Sequence, residues 1–145
     1  MTVNHVGHCV ADLERAQRFY VEALGFTPWF ELSPPDDPSD RLLGLPKPLG
    51  MRCVYLRKGD FVLELLHFAD ADLAEAPLRT MNQPGLTHLS FAVDDLASAC
   101  HRVQKYGGTL LTDTNIGVAI FVRDPDGQLL ELLPASYRDS LPPVP

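Results

Sequence analysis

Two histidines and two glutamates recur at matching places in the chain, and they are the side chains best suited to chemistry. His5 and His88 each open a similar nine-residue segment, HVGHCVADL and HLSFAVDDL, at an offset of 83 residues. Glu64 and Glu131 each interrupt a matching apolar run, VLELL and LLELL. A carboxylate on an apolar strand face is costly to bury unless it is paired or bound to a cation. The two glutamates therefore need a partner.

These four side chains have the donor chemistry of a divalent-metal site. Two imidazole nitrogens and two carboxylates suit Zn, Ni, Co, Mn or Fe better than a soft thiolate set does. A single strand histidine or glutamate is more often structural, but recurrence at equivalent places of a repeat favours a shared role. The four are expected to meet at one cation if the two sheets curve toward each other. Three other histidines lack a counterpart and are expected to be surface or core residues: His8, His67 and His101.

The same repeat predicts the elements that hold these residues, in the order strand, helix and three strands, twice. Asp12 and Asp95 follow the opening strands and are placed to cap helices. Apolar residues then recur at three- and four-residue spacing, and Gly25 and Gly107-Gly108 provide the C-terminal stops. The remaining strands are predicted at 26–32, 51–57 and 60–68 in the first half, and at 109–112, 118–123 and 128–133 in the second.

The first half contains an extra segment, residues 33–50, with five of the thirteen prolines. We expect a loop here, and a loop of this length inside a compact domain is more often functional than idle. Its aspartates are expected to be solvated: Asp36, Asp37 and Asp40. The three cysteines form no C-x-x-C pair and are expected to be reduced, small buried residues.

Length and charge restrict the class of protein. A chain of 145 residues predicts a single domain over 1–145, with a first module at about 3–68, a linker at 69–85, a second module at about 86–134 and a tail at 135–145. The net charge of −7, without a basic cluster, argues against nucleic-acid or anionic-membrane partners. No apolar run approaches the ~20 residues that span a bilayer. The N-terminus lacks the pattern of a secretory signal, so a cytoplasmic protein is expected.

Several motifs together resemble the vicinal oxygen chelate superfamily, which includes glyoxalase I, methylmalonyl-CoA epimerase, extradiol dioxygenases, and the fosfomycin and bleomycin resistance proteins. The resemblance covers residues 3–134, through HVG at 5–7, VADL at 10–13, FY at 19–20, LGF at 24–26, THL at 87–89, and DPDG at 124–127 leading to Glu131. It implies an α+β fold of two βαβββ modules that form a cup-shaped, partly closed mixed sheet around a metal. It also implies a homodimer. The glyoxalase I arrangement matches all four ligands: His5, Glu64, His88 and Glu131.

The resemblance implies a metal-dependent lyase or isomerase of the glyoxalase I or methylmalonyl-CoA epimerase type, acting on a small molecule. The cation would hold two substrate oxygens and stabilise an enediolate or enolate, with Glu131 or Glu64 as the base that moves the proton. Where glyoxalase I carries an arginine and an asparagine for glutathione, this chain has Cys9 and Phe68, which argues against a glutathione substrate.

Two other functions fit the same fold. One is a binding or resistance-type protein that sequesters a small apolar molecule, with Trp29 and Phe30 in a lid. The other is a dioxygenase, although that class uses two histidines and one carboxylate.

Overall fold

The chain forms two compact units, described by a computed structural model over residues 1–74 and 80–142. Unit 1 comprises Met1–Val21 and Gly25–Pro77, and unit 2 comprises Glu22–Leu24 and Leu78–Pro145. Each unit contains a four-stranded mixed sheet with the same order of strands, β1-β4-β3-β2 and β5-β8-β7-β6. The predicted α+β class and its duplicated module are therefore confirmed.

Unit 1 has the predicted order of elements with one addition. These are β1 (Val6–Cys9), α1 (Leu13–Arg18) continued by a π-helical turn (Phe19–Ala23), β2 (Thr27–Leu32), α2 (Asp36–Leu43), β3 (Met51–Lys58) and β4 (Phe61–Phe68). Asp12 caps α1 by accepting the backbone N–H of Arg15 at 2.9 Å, as expected for a capping aspartate. β1 runs parallel to β4, and β3 is antiparallel to both β4 and β2. The alternating apolar residues of β3 and β4 form the buried centre of this unit.

Unit 2 repeats the arrangement. Its elements are β5 (Leu89–Val93), α3 (Leu96–Lys105), β6 (Thr109–Leu110), a 3-10 turn (Thr112–Thr114), β7 (Ile120–Arg123), β8 (Leu129–Pro134) and α4 (Ala135–Asp139). Asp95 caps α3 through the N–H of Ser98 at 3.1 Å. Ala99 and Val103, on one side of α3, are buried, as are Leu130 and Leu132 of β8.

The segment at 33–50 is not the loop that the sequence predicts, because it contains α2. Asp36 accepts the backbone N–H groups of Leu49 at 3.2 Å and Gly50 at 3.3 Å, so its carboxylate closes the insertion. Leu49 is fully buried and packs with Met51 and Cys53. The expectation of a solvated aspartate cluster is therefore wrong for Asp36. The helix has only eight residues and contains Pro38, so the sequence of this segment shows no clear helical periodicity.

Other boundaries differ in smaller ways. The tail predicted at 135–145 begins with α4, and its last residues, 143–145, lie outside the described part of the chain. Five residues of the predicted linker, 75–79, also lie outside it. Cys53 is buried as expected, whereas Cys9 is exposed, which corrects the prediction for that thiol. No helix within the described ranges is long and apolar enough to cross a membrane.

β2 is the edge strand of the sheet in unit 1, and every one of its residues is exposed. Its pairing with β3 shifts register between Pro28 and Phe30, where Trp29 is the extra residue. Arg52 holds this strand to α1 by binding Glu31 at 2.7 Å and Glu14 at 2.9 Å. The guanidinium thus bridges an edge strand and a helix across the surface of the unit.

Candidate metal-ligand pairs

The structure brings His5 and Glu64 together in unit 1. His5 immediately precedes β1, and Glu64 lies in β4 opposite Gly7. Nε2 of His5 is 3.0 Å from Oε2 of Glu64, and the glutamate side chain is only 10% exposed. A Cβ at Gly7 would lie 3.2 Å from Cδ1 of Leu66, a tight contact, and 3.6 Å from that same carboxylate oxygen, an ordinary one.

His88 and Glu131 form the equivalent pair in unit 2. His88 immediately precedes β5, and Glu131 lies in β8 opposite Ser90. Nε2 of His88 is 3.5 Å from Oε2 of Glu131, whose side chain is 23% exposed. The second pair is therefore more open to solvent at its carboxylate than the first.

The other ring nitrogen of each histidine faces the side chain of the preceding residue. Nδ1 of His5 lies 2.7 Å from Oδ1 of Asn4, and Nδ1 of His88 lies 2.9 Å from the hydroxyl of Thr87. An Nδ1–H that donates to such an oxygen leaves the lone pair on Nε2, the atom that faces the glutamate. Outer hydrogen bonds of this kind orient metal-binding imidazoles in proteins.

Each glutamate also accepts a hydrogen bond from a hydroxyl group. The Tyr55 hydroxyl donates to Oε1 of Glu64, and the Ser90 hydroxyl donates to Oε2 of Glu131 at 2.7 Å. Tyr55 also packs edge-on against His5, with ring centroids 5.5 Å apart. Each carboxylate is thus oriented by a neutral hydroxyl donor, which leaves its negative charge available to a cation.

Glu64 affects the ionisation of two neighbours. Burial, reinforced by the hydrogen bond to Glu64 and by its charge, raises the pKa of Tyr55 above its ordinary value, so this hydroxyl stays protonated and remains a donor. Burial, together with the nearby Glu64 charge, raises the pKa of the Cys53 thiol to about 12. Cys53 is therefore a protonated thiol near neutral pH and does not compete as a thiolate ligand.

The donor set of each pair fits a divalent cation. Two ligand atoms about 2.1 Å from one ion lie about 3.0 Å apart at a right angle and about 3.4 Å apart at a tetrahedral angle. The observed separations of 3.0 Å and 3.5 Å match these values. Within residues 1–74 and 80–142, no group of three or more His, Cys, Asp or Glu side chains is arranged to hold a metal ion. The four predicted residues are therefore seen as two pairs, one in each unit.

We call the sheet face of unit 2 that carries His88 and Glu131 the ligand face. A cavity of about 500 Å³ lies on this face. Ser90 and Ala92 of β5 and Leu133 of β8 line it, and these residues alternate in step with His88 and Glu131. Ser90, which lines the cavity, donates a hydrogen bond to Glu131, so the cavity lies next to the carboxylate. Its volume is typical of small-molecule sites (~300–1,000 Å³).

Sequence reasoning missed the residues that support the pairs: Asn4, Thr87, Tyr55 and Ser90. Asn4 and Thr87 directly precede the repeated histidines, so the repeat itself carried a signal for them. Tyr55 faces Glu64 across a hairpin, which the Lys58-Gly59 turn indicated. Ser90 corresponds to Gly7 in the repeat and gave no signal, since its pairing with β8 joins distant parts of the chain.

Comparisons with known proteins agree with this fold. A family model described as the Glyoxalase/Bleomycin resistance protein/Dioxygenase superfamily matches residues 2–132. The lactoylglutathione lyase of Pseudomonas aeruginosa is 31% identical over 84 residues, which are 55% of this chain and only 48% of that enzyme. A probable lactoylglutathione lyase of Synechocystis sp. is 26% identical over 134 residues, covering 89% of this chain and 92% of that protein.

Solved structures give the same architecture. A trypanothione-dependent glyoxalase I from Leishmania major has a TM-score of 0.68 at 24% identity, over 93% of this chain and 87% of that one. A glyoxalase family protein from Bacillus cereus has a TM-score of 0.74 at 19% identity, over 90% and 91%. A fosfomycin resistance protein from Mesorhizobium loti has a TM-score of 0.62 at 22% identity, over 97% and 98%. At these identities, the likeness is one of fold.

Proposed function

Since the chain belongs to the Glyoxalase/Bleomycin resistance protein/Dioxygenase superfamily, we propose that it is a metal-dependent lyase or isomerase of the glyoxalase type. The observation that carries the proposal is the repeated pair, in which a histidine Nε2 faces a glutamate Oε2 at 3.0 Å or 3.5 Å. Each Nδ1 faces an oxygen of the preceding side chain. A purely structural ion pair would not need the same four-atom arrangement twice.

The proposed metal ligands are His5, Glu64, His88 and Glu131. Their nitrogen and oxygen donors suit a divalent ion such as Zn, Ni, Co, Mn or Fe. When bound, the ion supplies Lewis-acid chemistry, because it polarises substrate oxygens and offsets the negative charge that develops when a neighbouring C–H is deprotonated.

We assign the proton transfer to Glu131 and a fixed role to Glu64. Glu64 is the more buried carboxylate and accepts a hydrogen bond from Tyr55 as well as facing His5. Glu131 is more exposed, and Ser90 donates to its Oε2. A carboxylate with an accessible oxygen can take a proton from a carbon next to a carbonyl and return it to the adjacent carbon. The Ser90 hydroxyl would keep that carboxylate oriented during the transfer.

The test begins with a hemithioacetal of methylglyoxal, because two relatives are named as lactoylglutathione lyases. Glutathione and simpler thiols should be compared, since Cys9 and Phe68 replace the expected glutathione contacts. Purified protein is analysed for metal content and for thioester formation. We expect Glu131→Gln to lose at least a hundredfold in kcat, as general-base loss typically does.

The histidines provide a matched control for this test. His88→Gln should lower the metal content, whereas His101→Gln on the exposed surface of α3 should leave it unchanged. Full turnover with unchanged metal in Glu131→Gln would remove Glu131 from the mechanism. Equal metal loss in both histidine variants would remove His88 from the ligand set.

We also propose that the chain acts as a homodimer, since two-fold symmetric assemblies are the commonest in soluble proteins. Sedimentation analysis of the metal-loaded protein should give twice the 16.0 kDa mass of the chain. A monomer at micromolar concentration would contradict this part of the proposal.

A second candidate function is small-molecule sequestration, and the cavity in unit 2 favours it. Such a protein would bind an apolar ligand tightly without turning it over. Substoichiometric metal in protein purified without added metal, together with unchanged ligand after prolonged incubation, would support sequestration over catalysis.

A further inference from the structure

The cavity on the ligand face of unit 2 has one positively charged wall. Its floor is formed by the sheet, through Ser90, Ala92 and Leu133. The opposite wall comes from α4 and the residues after it, including Arg138 and Leu141. The floor and wall are mostly apolar, so a guanidinium here has little competition from other charged side chains of the lining.

Arg138 has no partner of its own in the described residues. Three other arginines of the described residues have partners: Arg52 binds Glu14 and Glu31, Arg123 donates to the carbonyl of Gly127, and Arg102 donates to the carbonyl of Ala23. By contrast, the Arg138 guanidinium makes no hydrogen bond, ion pair or ring contact with any residue in 1–74 or 80–142. It lines the cavity with all its donors available.

We propose that this cavity holds the tail of the substrate and that Arg138 binds a carboxylate at the end of that tail. The inference rests on the proposed function, because the cavity adjoins Glu131 through Ser90. A planar guanidinium can donate two parallel hydrogen bonds to a carboxylate, which fixes both its position and its orientation. The substrate is thus an acid with a short apolar stem, and its reacting carbon lies toward Glu131.

The single charge of the site favours a carboxylate over a phosphoryl group. A phosphoryl dianion is usually bound by more than one cation or by a cluster of backbone N–H groups. Among the described residues that line the cavity, Arg138 is the one cationic side chain, beside the hydroxyls of Ser90 and Tyr137. The single positive charge of one guanidinium is matched by the single negative charge of one carboxylate.

Three probes with the same tail test the proposal: hexanoate, 1-hexanol and hexylphosphonate. Binding is measured by NMR titration of the full-length protein after metal removal with EDTA, so that a carboxylate cannot bind through a metal. We expect hexanoate to bind about ten- to hundredfold more tightly than hexanol, as a charge-assisted pair predicts. Arg138→Gln should abolish that difference, and Arg138→Lys should restore part of it.

Arg18→Gln is the matched control, since Arg18 is an arginine of α1 in unit 1. It should leave the preference for hexanoate unchanged. Equal binding of hexanoate and hexanol, or a preference that survives Arg138→Gln, would overturn the proposal. Tighter binding of hexylphosphonate than hexanoate would overturn the choice of a carboxylate. These titrations use metal-free protein and test only the carboxylate site at Arg138. The metal-content and turnover measurements test the proposed function, so either proposal can fail while the other is supported.

Discussion

Tyr55 and Phe121 occupy equivalent places in the two sheets and differ by one hydroxyl group. Tyr55 pairs with Glu64 across β3 and β4, and Phe121 pairs with Glu131 across β7 and β8. Each aromatic ring meets the histidine of its unit edge-on, with interplanar angles of 87° and 86°. Only the tyrosine can donate to its glutamate, and in unit 2 Ser90 supplies the hydroxyl instead.

Tyr55→Phe should weaken metal binding without unfolding the protein. The ring would still stack on Phe30 at 4.3 Å, but Glu64 would lose its hydroxyl donor. Loss of such an outer hydrogen bond typically lowers metal affinity about 10- to 100-fold. Calorimetric titration of the metal-free protein with Zn or Ni measures the change. Phe121→Tyr is the control and should not weaken binding, and an unaltered affinity in Tyr55→Phe would show that the hydroxyl does not orient Glu64.

Asp36→Ala should loosen the insertion at 33–50. The change removes the acceptor for the backbone N–H groups of Leu49 and Gly50, so we expect a loss of about 1 kcal/mol in the free energy of unfolding. Hydrogen exchange at these two amides should accelerate. Asp37→Ala removes only an exposed ion pair with Arg41 and should cost less than about 0.5 kcal/mol. Equal stabilities of the two variants would contradict the closing role of Asp36.

Gly50→Ala should destabilise the protein more than Gly44→Ala. Both glycines have a left-handed backbone, with φ of 56° and 67°, so alanine costs about 1 kcal/mol at either position. At Gly50, the new Cβ would also lie 2.5 Å from Oδ2 and 2.8 Å from Cγ of the Asp70 side chain, and 3.1 Å from the Asp70 backbone nitrogen, whereas at Gly44 it meets nothing within 4 Å. Urea unfolding of the two variants isolates this contact. A smaller loss at Gly50 than at Gly44 would show that the Asp70 segment moves aside freely.

The thiols should react with iodoacetamide in the order of their exposure and acidity. Cys9 is exposed, whereas burial and the Glu64 charge raise the pKa of Cys53 to about 12. The thiolate is the reactive form, and the raised pKa keeps Cys53 almost entirely protonated at pH 8. Peptide mass spectrometry should find Cys9 labelled at pH 8, with Cys53 protected until the pH approaches its pKa or the protein unfolds. Labelling of Cys53 at the rate of Cys9 would contradict its burial.

The elements that the sequence predicts well are those whose signals are local and repeated. Signals of this kind predicted the strands from their alternation, the helix starts from Asp12 and Asp95, and the candidate ligands from the duplicated histidine and glutamate positions. The pairing of His5 with Glu64 and of His88 with Glu131 follows from the same repeat. Their role as metal ligands remains a prediction.

The features that the sequence did not reveal depend on short segments or on distant pairing. The helices α2 and α4 are eight and five residues long, which is too short for a clear periodicity. Ser90 reaches Glu131 only because β5 pairs with β8 in one particular register. Cys9 is exposed because the face of β1 that it shares with Gly7 is open, which alternation alone cannot predict.

The irregular pairing of β2 has a consequence for solubility at high concentration. An exposed edge strand with Trp29 and Phe30 would ordinarily offer a template for aggregation. Here Pro28 lacks an N–H to donate, the register shift beside it breaks the hydrogen-bonding ladder, and the Glu31 carboxylate adds charge. The strand can therefore display two aromatic rings to solvent without acting as a seed for intermolecular β-sheet.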